Sequence, residues 1–368
     1  MRREVGVPVA SAGKLPVILR GEGVERLHFR PSGLTPMVEA ALGGVGSGHR
    51  PSQPRISTTD SYATVSSATI VPFERFLLGH WQQMTLIGLP VPLVGLRESI
   101  LEQPALPALT NERYAQTHAA YEAASDQRPG LQKWLATELP PLLADRDPVR
   151  VVGVGVGDGS VDAPLAAALA AGGRRVRYTG VEPHAPSAAG FAERLNSLGL
   201  QSLVPTVVIG DFADHDVGHP ADLVHFVHSL YYVEKLSAAL DHAFSLLRSG
   251  GLLVAAVAPL EPLCVLTELL CPWSGRTPWF AEDVHAEFDR RGVSVRTETI
   301  VGRLDVRDAL VDPLGRGEAV LDFLIGARSR ALEPVAHDRL LGYLRDISLP
   351  GHPGVLPHPV DVIIARKP

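Results

Sequence analysis

The chain has 368 residues, of which 45% are hydrophobic, and this length suits one large domain or two smaller ones. Its net charge of −6 and its lack of a Lys/Arg stripe argue against a nucleic-acid-binding surface. It has no run of about 18 apolar residues, and no apolar segment follows its first basic residues, so we expect neither a membrane span nor a signal peptide. The two cysteines, Cys264 and Cys271, predict free thiols in a reducing cytoplasm rather than a disulfide framework.

Residues 1–110 differ in character from the rest of the chain. Short β-like runs at 5–10, 15–19 and 26–29 are interrupted by Gly and Pro, and a glycine-rich loop follows at 43–54. We interpret this part as an accessory segment that acts as a lid, as a homodimer interface or as a docking module for substrate. An extension without chemistry is the simpler alternative. The proline-containing stretch 104–107 predicts a boundary to a second domain, 111–368.

Strands and helices alternate through this second domain. Helices at 111–127 and 131–144, separated by Pro129 and Gly130, precede them. The predicted strands lie at 149–155, 175–181, 205–210, 222–228 and 252–258, and helices at 161–171, 187–198 and 235–248 connect them. Further helices are predicted at 262–270, 281–291, 319–325 and 335–347, and further strands at 293–300 and 360–365. This alternation predicts an α/β fold, with a mostly parallel sheet covered by helices on both faces.

A glycine-rich turn directly follows the first of these strands. Four glycines occupy every second position from 153 to 159, and an alanine- and leucine-rich helix comes next. Glycine is needed where a nucleoside ligand must approach the backbone more closely than a Cβ atom allows. We therefore predict a nucleoside-binding turn at Gly153, Gly155 and Gly157.

Acidic residues end the next two strands. Glu182 follows the second strand, where a carboxylate can accept hydrogen bonds from a ribose diol, and Asp211 follows the third, within reach of an adenine amino group. Dinucleotide sites favour the spacing G-x-G-x-x-G, which the looser turn here does not match, so S-adenosylmethionine is favoured over a nicotinamide cofactor. Gly250 and Gly251 are predicted to end the helix before the fifth strand. The order of these features resembles the Rossmann-like class I methyltransferase fold, whose sheet finishes with an antiparallel hairpin.

A closer resemblance lies downstream, in the segment 222–233 with its double tyrosine, in Val181-Glu182-Pro183 and in Leu321-Asp322-Phe323-Leu324. Over about residues 111–368 the chain resembles the histamine N-methyltransferase family. The resemblance implies that the glycine turn and Glu182 hold S-adenosylmethionine, which is released as S-adenosylhomocysteine. It places Ser187 and Asp211 at the ribose or adenine, and Val227 and His228 beside the methyl donor. It makes Tyr231 and Tyr232 an aromatic wall of the acceptor pocket.

Two positions depart from that family. Its substrate-gripping carboxylate on the leading helix falls at about Gln127, with Asp126 beside it, and its asparagine before the last strand falls at about His358. The resemblance therefore extends to the methyl donor and an amine nucleophile rather than to histamine itself. Tyr114, His118, Tyr121 and Ser125 share one helix face, which either covers the acceptor or packs the helix onto the sheet.

Catalysis by such a site requires mainly alignment, because the methyl donor is already activated. His228 could accept the proton of the acceptor, although a polar residue without chemistry is the simpler interpretation. Tyr231 and Tyr232 are candidates for the pocket or for the core. His225 and His228 lie three residues apart in the fourth predicted strand, so we expect them on opposite faces. We interpret one further acidic and histidine-rich group as solvated and expect no metal there: Asp211, Asp214, His215, Asp216 and His219.

Together these observations predict an S-adenosylmethionine-dependent enzyme that N-methylates an amine on a small molecule, a modified peptide or another natural product. The alternatives are an O- or C-methyltransferase on the same fold, a non-catalytic S-adenosylmethionine-binding module and, more distantly, a nicotinamide-dependent reductase.

Overall fold

The computed structural model describes residues 106–216, 218–270 and 279–368, together with a few residues between 93 and 104. The β-like runs and the glycine-rich loop predicted before residue 55, and the segment 271–278 with the second cysteine, lie outside the described residues. Within the described part, no helix combines the length and hydropathy that crossing a membrane requires.

A seven-stranded sheet forms the centre of the domain. Its strands are β1 (Val149–Val154), β2 (Val176–Val181), β3 (Leu203–Val208), β4 (Ala221–Val227), β5 (Leu247–Val257), β6 (Val295–Ile300) and β9 (Val360–Arg366). Their order across the sheet is β3-β2-β1-β4-β5-β9-β6. Strand β9 runs antiparallel to both of its neighbours, and the other pairs are parallel. This arrangement confirms the predicted Rossmann-like class I methyltransferase fold and its antiparallel last strand.

The composition of the strands explains why the sheet is covered on both faces. Every residue of β4 except Val227 is buried, and β1 is buried apart from Arg150. Such buried, largely apolar and β-branched runs are typical of parallel strands that have helices on both sides.

Helices pack on the two faces of the sheet. One face carries α2 (Gln127–Leu142), α3 (Asp162–Leu169) and α4 (Ala185–Asn196), and the other carries α5 (Leu236–Leu246) and α7 (Ala281–Arg290).

A second hydrophobic cluster forms a cap at the carboxyl edge of the sheet. Strand β6 ends and β9 begins at this edge, where Ile300 pairs with Val360, and the chain between them builds most of the cap. The cap contains α6 (Pro262–Leu270), β7 (Arg303–Asp305), α8 (Arg307–Val311), α9 (Glu318–Ile325), α10 (Pro334–Asp346) and β8 (Val355–Pro357). The leading helix α1 (Asn111–Ala123) packs on α9 rather than on the sheet.

An ion pair joins α1 to the cap. Both Nε and a terminal nitrogen of Arg113 donate to Oδ2 of Asp322, at 2.9 and 2.7 Å. The second oxygen of Asp322 accepts hydrogen bonds from the backbone and the hydroxyl of Ser329. The Asp322 side chain is fully buried, so its charge depends on these partners. The residue after it, Phe323, is thereby held against α1.

Two predictions about helix ends were wrong. Helix α1 ends at Ala123 rather than at residue 127, and Pro129 and Gly130 lie in the first turn of α2 instead of before it. Proline is tolerated in a first turn because its missing N–H would have no partner there. Gly250 and Gly251 do not cap a helix. They lie inside β5, where Gly250 has φ +74° and the register with β4 is irregular, as in a β-bulge.

Candidate functional site

The glycine turn, residues 153–159, lies tightly against the end of β4. A Cβ atom on Gly155, where φ is +65°, would lie 2.6 Å from Cβ of Ser229. A Cβ atom on Gly153 would lie 2.8 Å from Nε2 of His225. Neither gap accommodates a methyl group, so both positions require glycine.

Gly157 lies on the open side of the same turn. Its φ is +56°, and no atom lies within 4 Å of the place where a Cβ would stand. Its backbone is therefore open to the approach of a ligand, whereas Gly153 and Gly155 are required by their contacts with protein atoms.

Glu182, at the tip of β2, is bound to this turn. Its Oε2 accepts a hydrogen bond from the Gly157 N–H at 2.9 Å, and its Oε1 accepts one from the His184 N–H at 2.9 Å. The residue is only 7% exposed. A carboxylate oxygen has two lone pairs, so each oxygen of Glu182 keeps acceptor capacity for the hydroxyls of a ribose. The open turn and this carboxylate fit an adenosyl group.

Ser187 and Asp211 lie near the same edge of the sheet. The Ser187 hydroxyl pairs with Nδ1 of His184 at 2.8 Å. Asp211 caps the short 3-10 helix Phe212–Asp214 by accepting from the Ala213 N–H at 2.9 Å. The loop before it reaches back to β2, because the Gly210 N–H donates to the Glu182 carbonyl. Asp211 thus follows a residue that is bonded to the backbone of Glu182, and Ser187 is bonded to His184, whose N–H donates to the Glu182 carboxylate.

Arg128, a basic residue not predicted from the sequence, connects the turn to the leading helices. Arg128 donates to the Ser160 hydroxyl at 3.1 Å, and its Nε lies 2.5 Å from the Glu122 carboxylate of α1. Gln132 adds a bond to the Ser160 carbonyl at 2.9 Å. No local pattern predicts these contacts, which join segments about 30 residues apart.

A buried polar network lies below the turn. The Tyr178 hydroxyl donates to Asp162 at 2.8 Å and contacts Nε2 of His225 at 2.7 Å. All three side chains are buried, and burial raises the pKa of Tyr178 above its usual value. The network ties the first residue of α3 to β2 and β4, so His225 has a structural role inside the sheet.

An aromatic cluster joins α1 to the cap and to the loop after β4. It consists of Tyr114, His118, Tyr121, Tyr231, Tyr232 and Phe323. Phe323 is central, with ring centroids 4.4 Å from Tyr121, 5.4 Å from His118 and 5.7 Å from Tyr114. The Tyr114 and Tyr232 hydroxyls lie 3.1 Å apart. Tyr232 is 46% exposed, so it belongs to the surface of the cluster and not to the core.

His228 lies just beyond β4, next to Val227, which ends the strand. Its φ is +51°, the one positive value among the described residues other than glycine. The prediction that it shares a strand with His225 was therefore wrong. Nδ1 of His228 contacts the Tyr231 hydroxyl at 3.2 Å. Burial, and then the charges of Arg128, His358 and His118, lower the pKa of His228 to about 3.

His358 is held between two hydroxyl groups. Its Nε2 contacts the Tyr121 hydroxyl at 2.5 Å, and its Nδ1 contacts the Ser125 hydroxyl at 2.8 Å. Burial lowers its pKa to about 4, although Asp126 acts in the opposite direction. At neutral pH the imidazole is therefore uncharged and fixes the end of α1.

The side chains of Asp126 and Gln127 are engaged with backbone groups. Asp126 accepts from the Arg303 N–H at 2.6 Å, and Gln127 donates to the carbonyls of His358 and Pro359 at 2.9 Å each. The carboxylate beside the aromatic cluster is instead Glu122, which lies 3.6 Å from Nε2 of His118. Glu122 is not among the residues predicted from the sequence.

No group of three or more His, Cys, Asp or Glu side chains that could hold a metal occurs among the described residues. In the acidic loop after β3, Asp216 accepts from the Gly218 N–H, and the His215 carbonyl contacts His242. Cys264 is a free thiol whose pKa burial raises to about 12.

Comparison with known proteins identifies the domain around this site. Residues 152–253 match the family model of a methyltransferase domain. The match covers just over a quarter of the chain, from β1 into β5, and includes the glycine turn, Glu182 and Asp211. Among curated proteins, none matches the chain.

Several solved structures resemble the chain. The YcgJ protein from Bacillus subtilis is 16% identical, with 63% of this chain and 97% of that chain covered and a TM-score of 0.43. Magnesium protoporphyrin IX methyltransferase (ChlM) from Synechocystis PCC 6803, with bound S-adenosylhomocysteine, is 18% identical, with coverages of 65% and 84% and a TM-score of 0.40. The N-methyltransferase NodS from Bradyrhizobium japonicum WM9 is 12% identical, with coverages of 65% and 97% and a TM-score of 0.38. These likenesses do not identify a substrate for this chain.

The chain thus contains a class I methyltransferase domain, a type of domain that uses S-adenosylmethionine as methyl donor. The predicted cofactor and enzyme class are confirmed. The finer resemblance to histamine N-methyltransferase is not shown by these comparisons.

A substitution at Gly157 tests the cofactor site. Gly157→Ala should weaken S-adenosylhomocysteine binding at least tenfold, because its methyl group would enter the open side of the turn. Gly172→Ala is the matched control, since Gly172 also has positive φ (+68°) and no neighbour within 4 Å. Each change should cost about 1 kcal/mol of folding stability through backbone strain. Calorimetric titration with S-adenosylhomocysteine measures the difference, and equal affinity in the two variants would contradict the site.

Acid should destabilise the protein through His358 and His228. Both have folded pKa values below the usual histidine value of about 6.5. The folded chain therefore binds fewer protons than the unfolded chain below pH 6.5. Their contribution to stability is complete above that pH and is lost as the pH falls toward 4 and then 3.

His358→Asn should make the free energy of unfolding decrease less as the pH falls. The difference should be about 1.4 kcal/mol for each unit by which the pKa of His358 differs between the folded and unfolded chain. Urea unfolding at pH 7, 5 and 4 measures it. His352→Asn, a change at an exposed histidine, controls for the substitution itself. Identical slopes in the His358→Asn variant and the parent chain would show that His358 is not held neutral.

Proposed function

We propose that this protein transfers a methyl group from S-adenosylmethionine to the nitrogen of an amine carried by a small molecule, a modified peptide or another natural product. The observation that carries the proposal is the lack of unpaired charge around the aromatic cluster. At neutral pH His228 and His358 are uncharged, with pKa values of about 3 and 4. Burial also lowers the pKa of His118 and raises those of Tyr121 and Tyr231.

Such surroundings favour an amine nucleophile. An amine must lose its ammonium proton before it can attack a methyl group, and a poorly solvated site lowers its pKa. Of the charged groups beside the cluster, Glu122 is paired with Arg128, and Asp322 is paired with Arg113. Neither carboxylate therefore stabilises an ammonium ion strongly. The neutral amine is the favoured bound form.

Methylation of a hydroxyl or of carbon is disfavoured by the same arrangement. Either reaction needs a base to remove a proton from a weak acid, and a useful base has a pKa near the working pH. With a pKa of about 3, His228 is too weak a base for that task at neutral pH. We therefore assign His228 no general-base role.

The residues of the chain have separate tasks in this proposal. When bound, S-adenosylmethionine supplies a methyl group on a positively charged sulfur. Gly153, Gly155, Gly157 and Glu182 would hold its adenosyl part, with Ser187, Asp211 and Val227 nearby. The aromatic cluster would orient the acceptor and exclude water from it, and this alignment supplies most of the rate enhancement.

The remaining expectations are proposals of the same kind. Residues 1–110 would serve as a lid, a homodimer interface or a docking module, and a docking module suits an acceptor larger than histamine. Cytoplasmic location and the absence of a nucleic-acid partner rest on cysteine usage and net charge alone.

Matched acceptors test the chemistry. The protein is incubated with S-adenosylmethionine and with pairs of aromatic compounds that differ only in carrying an amine or a hydroxyl group. Mass spectrometry should find a methyl group on the amines, placed on nitrogen by fragmentation, and not on the hydroxyl compounds. Transfer to oxygen with equal or greater efficiency would overturn the proposal.

Tyr232→Ala tests the place of the acceptor. Loss of this half-exposed ring should raise KM for the amine about tenfold, on the order of 1.4 kcal/mol, and leave the affinity for S-adenosylhomocysteine unchanged. Val204→Ala, which removes an exposed apolar side chain from the edge strand β3, is the control. An unchanged KM in Tyr232→Ala would place the acceptor elsewhere.

A further inference from the structure

We propose that Tyr231 fixes His228 in the neutral tautomer that carries its proton on Nε2, so that His228 presents an N–H donor to the acceptor molecule. The substrate that receives the methyl group would then carry an uncharged atom that accepts this hydrogen bond, such as an amide carbonyl oxygen or a ring nitrogen. This atom would lie beside the nucleophilic nitrogen of the substrate. This second part rests on the proposed function, whereas the tautomer does not.

The geometry of the Tyr231 hydroxyl determines the direction of the hydrogen bonds. The Ala258 N–H donates to the Tyr231 oxygen at 2.7 Å. A backbone N–H has no other role than donor, so the hydroxyl is the acceptor in this contact. Its own proton must therefore be directed at a different atom.

Within the described part of the chain, the hydrogen-bond acceptor available to that proton is Nδ1 of His228, which lies 3.2 Å from the Tyr231 hydroxyl oxygen. A donor bond from Tyr231 places the lone pair of His228 on Nδ1 and the proton on Nε2. In the opposite tautomer the phenol proton of Tyr231 would have no hydrogen-bond partner, and leaving a buried donor unpaired is costly. The phenol cannot avoid this cost by losing its proton, because burial raises its pKa and disfavours the phenolate. In the Nε2–H tautomer the phenol proton of Tyr231 has a partner.

The backbone holds His228 in this position. Its N–H donates to the Ala256 carbonyl at 3.0 Å, and its φ of +51° is an unfavourable conformation for a residue with a side chain. Its ring stacks near that of Tyr231, with an interplanar angle of 21°. Such strain persists where the surroundings impose it, and this is common at binding sites.

Nε2 remains available to a ligand. It makes no hydrogen bond within the described residues. It is also not one of the buried side-chain atoms without a partner, so it is accessible from outside the protein. The nearby cation Arg128 is engaged by Glu122 and Ser160. The His228 N–H is neutral, and the positive charge of Arg128 is already paired. This site therefore favours an uncharged hydrogen-bond acceptor on the substrate over a carboxylate.

The tautomer can be measured without knowing the substrate. The full chain, labelled with nitrogen-15 at histidine, is examined at pH 7 by long-range proton–nitrogen correlation, and His228→Asn identifies the resonances by their loss. We expect a pyridine-type Nδ1 and a protonated Nε2 for His228. Tyr231→Phe should shift the ring to a mixture of tautomers, whereas Tyr343→Phe, which removes a hydroxyl in the cap, should not.

A protonated Nδ1, a doubly protonated ring, or an unchanged spectrum in Tyr231→Phe would overturn the assignment.

Recognition of the substrate by the His228 N–H has its own test, with two amines that differ in the presence of an adjacent carbonyl. The parent chain should prefer the carbonyl compound at least tenfold in kcat/KM, and His228→Phe should lose the preference. Equal preference in the two chains would overturn the recognition step, while absence of transfer to any amine would instead contradict the proposed function and leave the tautomer result standing.

Discussion

The close contact between the glycine turn and the end of β4 is the constraint on which the rest of the site depends. Gly155 can approach Ser229 only because it has no Cβ, and this approach leaves Gly157 open on the other side. The Gly157 N–H donates to Glu182. Two strand tips and one turn are thereby fixed relative to each other before any ligand binds, and such preorganisation lowers the entropic cost of binding.

The same contact also affects the acceptor side. Ser229, on which Gly155 packs, follows directly after His228, whose left-handed backbone directs the chain from β4 to Tyr231 and Tyr232. The cap completes this side, since Arg113 and Asp322 hold α1 against α9. The proposed cofactor residues thus lie at the strand ends of the sheet, whereas the aromatic cluster is shared by α1, the cap and the loop after β4. Arg128 connects the two regions through Glu122 and Ser160.

The sequence predicted those features that depend on local patterns. The seven strands, the turn and Glu182 follow from hydrophobic runs and from glycine spacing, and each predicted strand lies within about two residues of its observed ends, apart from the earlier start of β5. Features that depend on distant contacts were missed. The bond between Arg113 and Asp322 spans 209 residues, and that between Tyr178 and His225 spans 47. Gly250 failed as a helix cap because pairing with β4 extends β5 toward α5. The left-handed conformation of His228 has no sequence signal, since glycine is the usual residue there.

A crystal structure of the chain with S-adenosylhomocysteine tests the cofactor site most directly. We expect the adenosyl group over the carboxyl ends of β1, β2 and β3, with its ribose hydroxyls within hydrogen-bond distance of the Glu182 carboxylate. The Gly157 backbone should lie against the ligand, and the contact between Gly155 and Ser229 should be unchanged. A complex in which the ligand binds away from the glycine turn, or in which Glu182 makes no contact with it, would contradict the site.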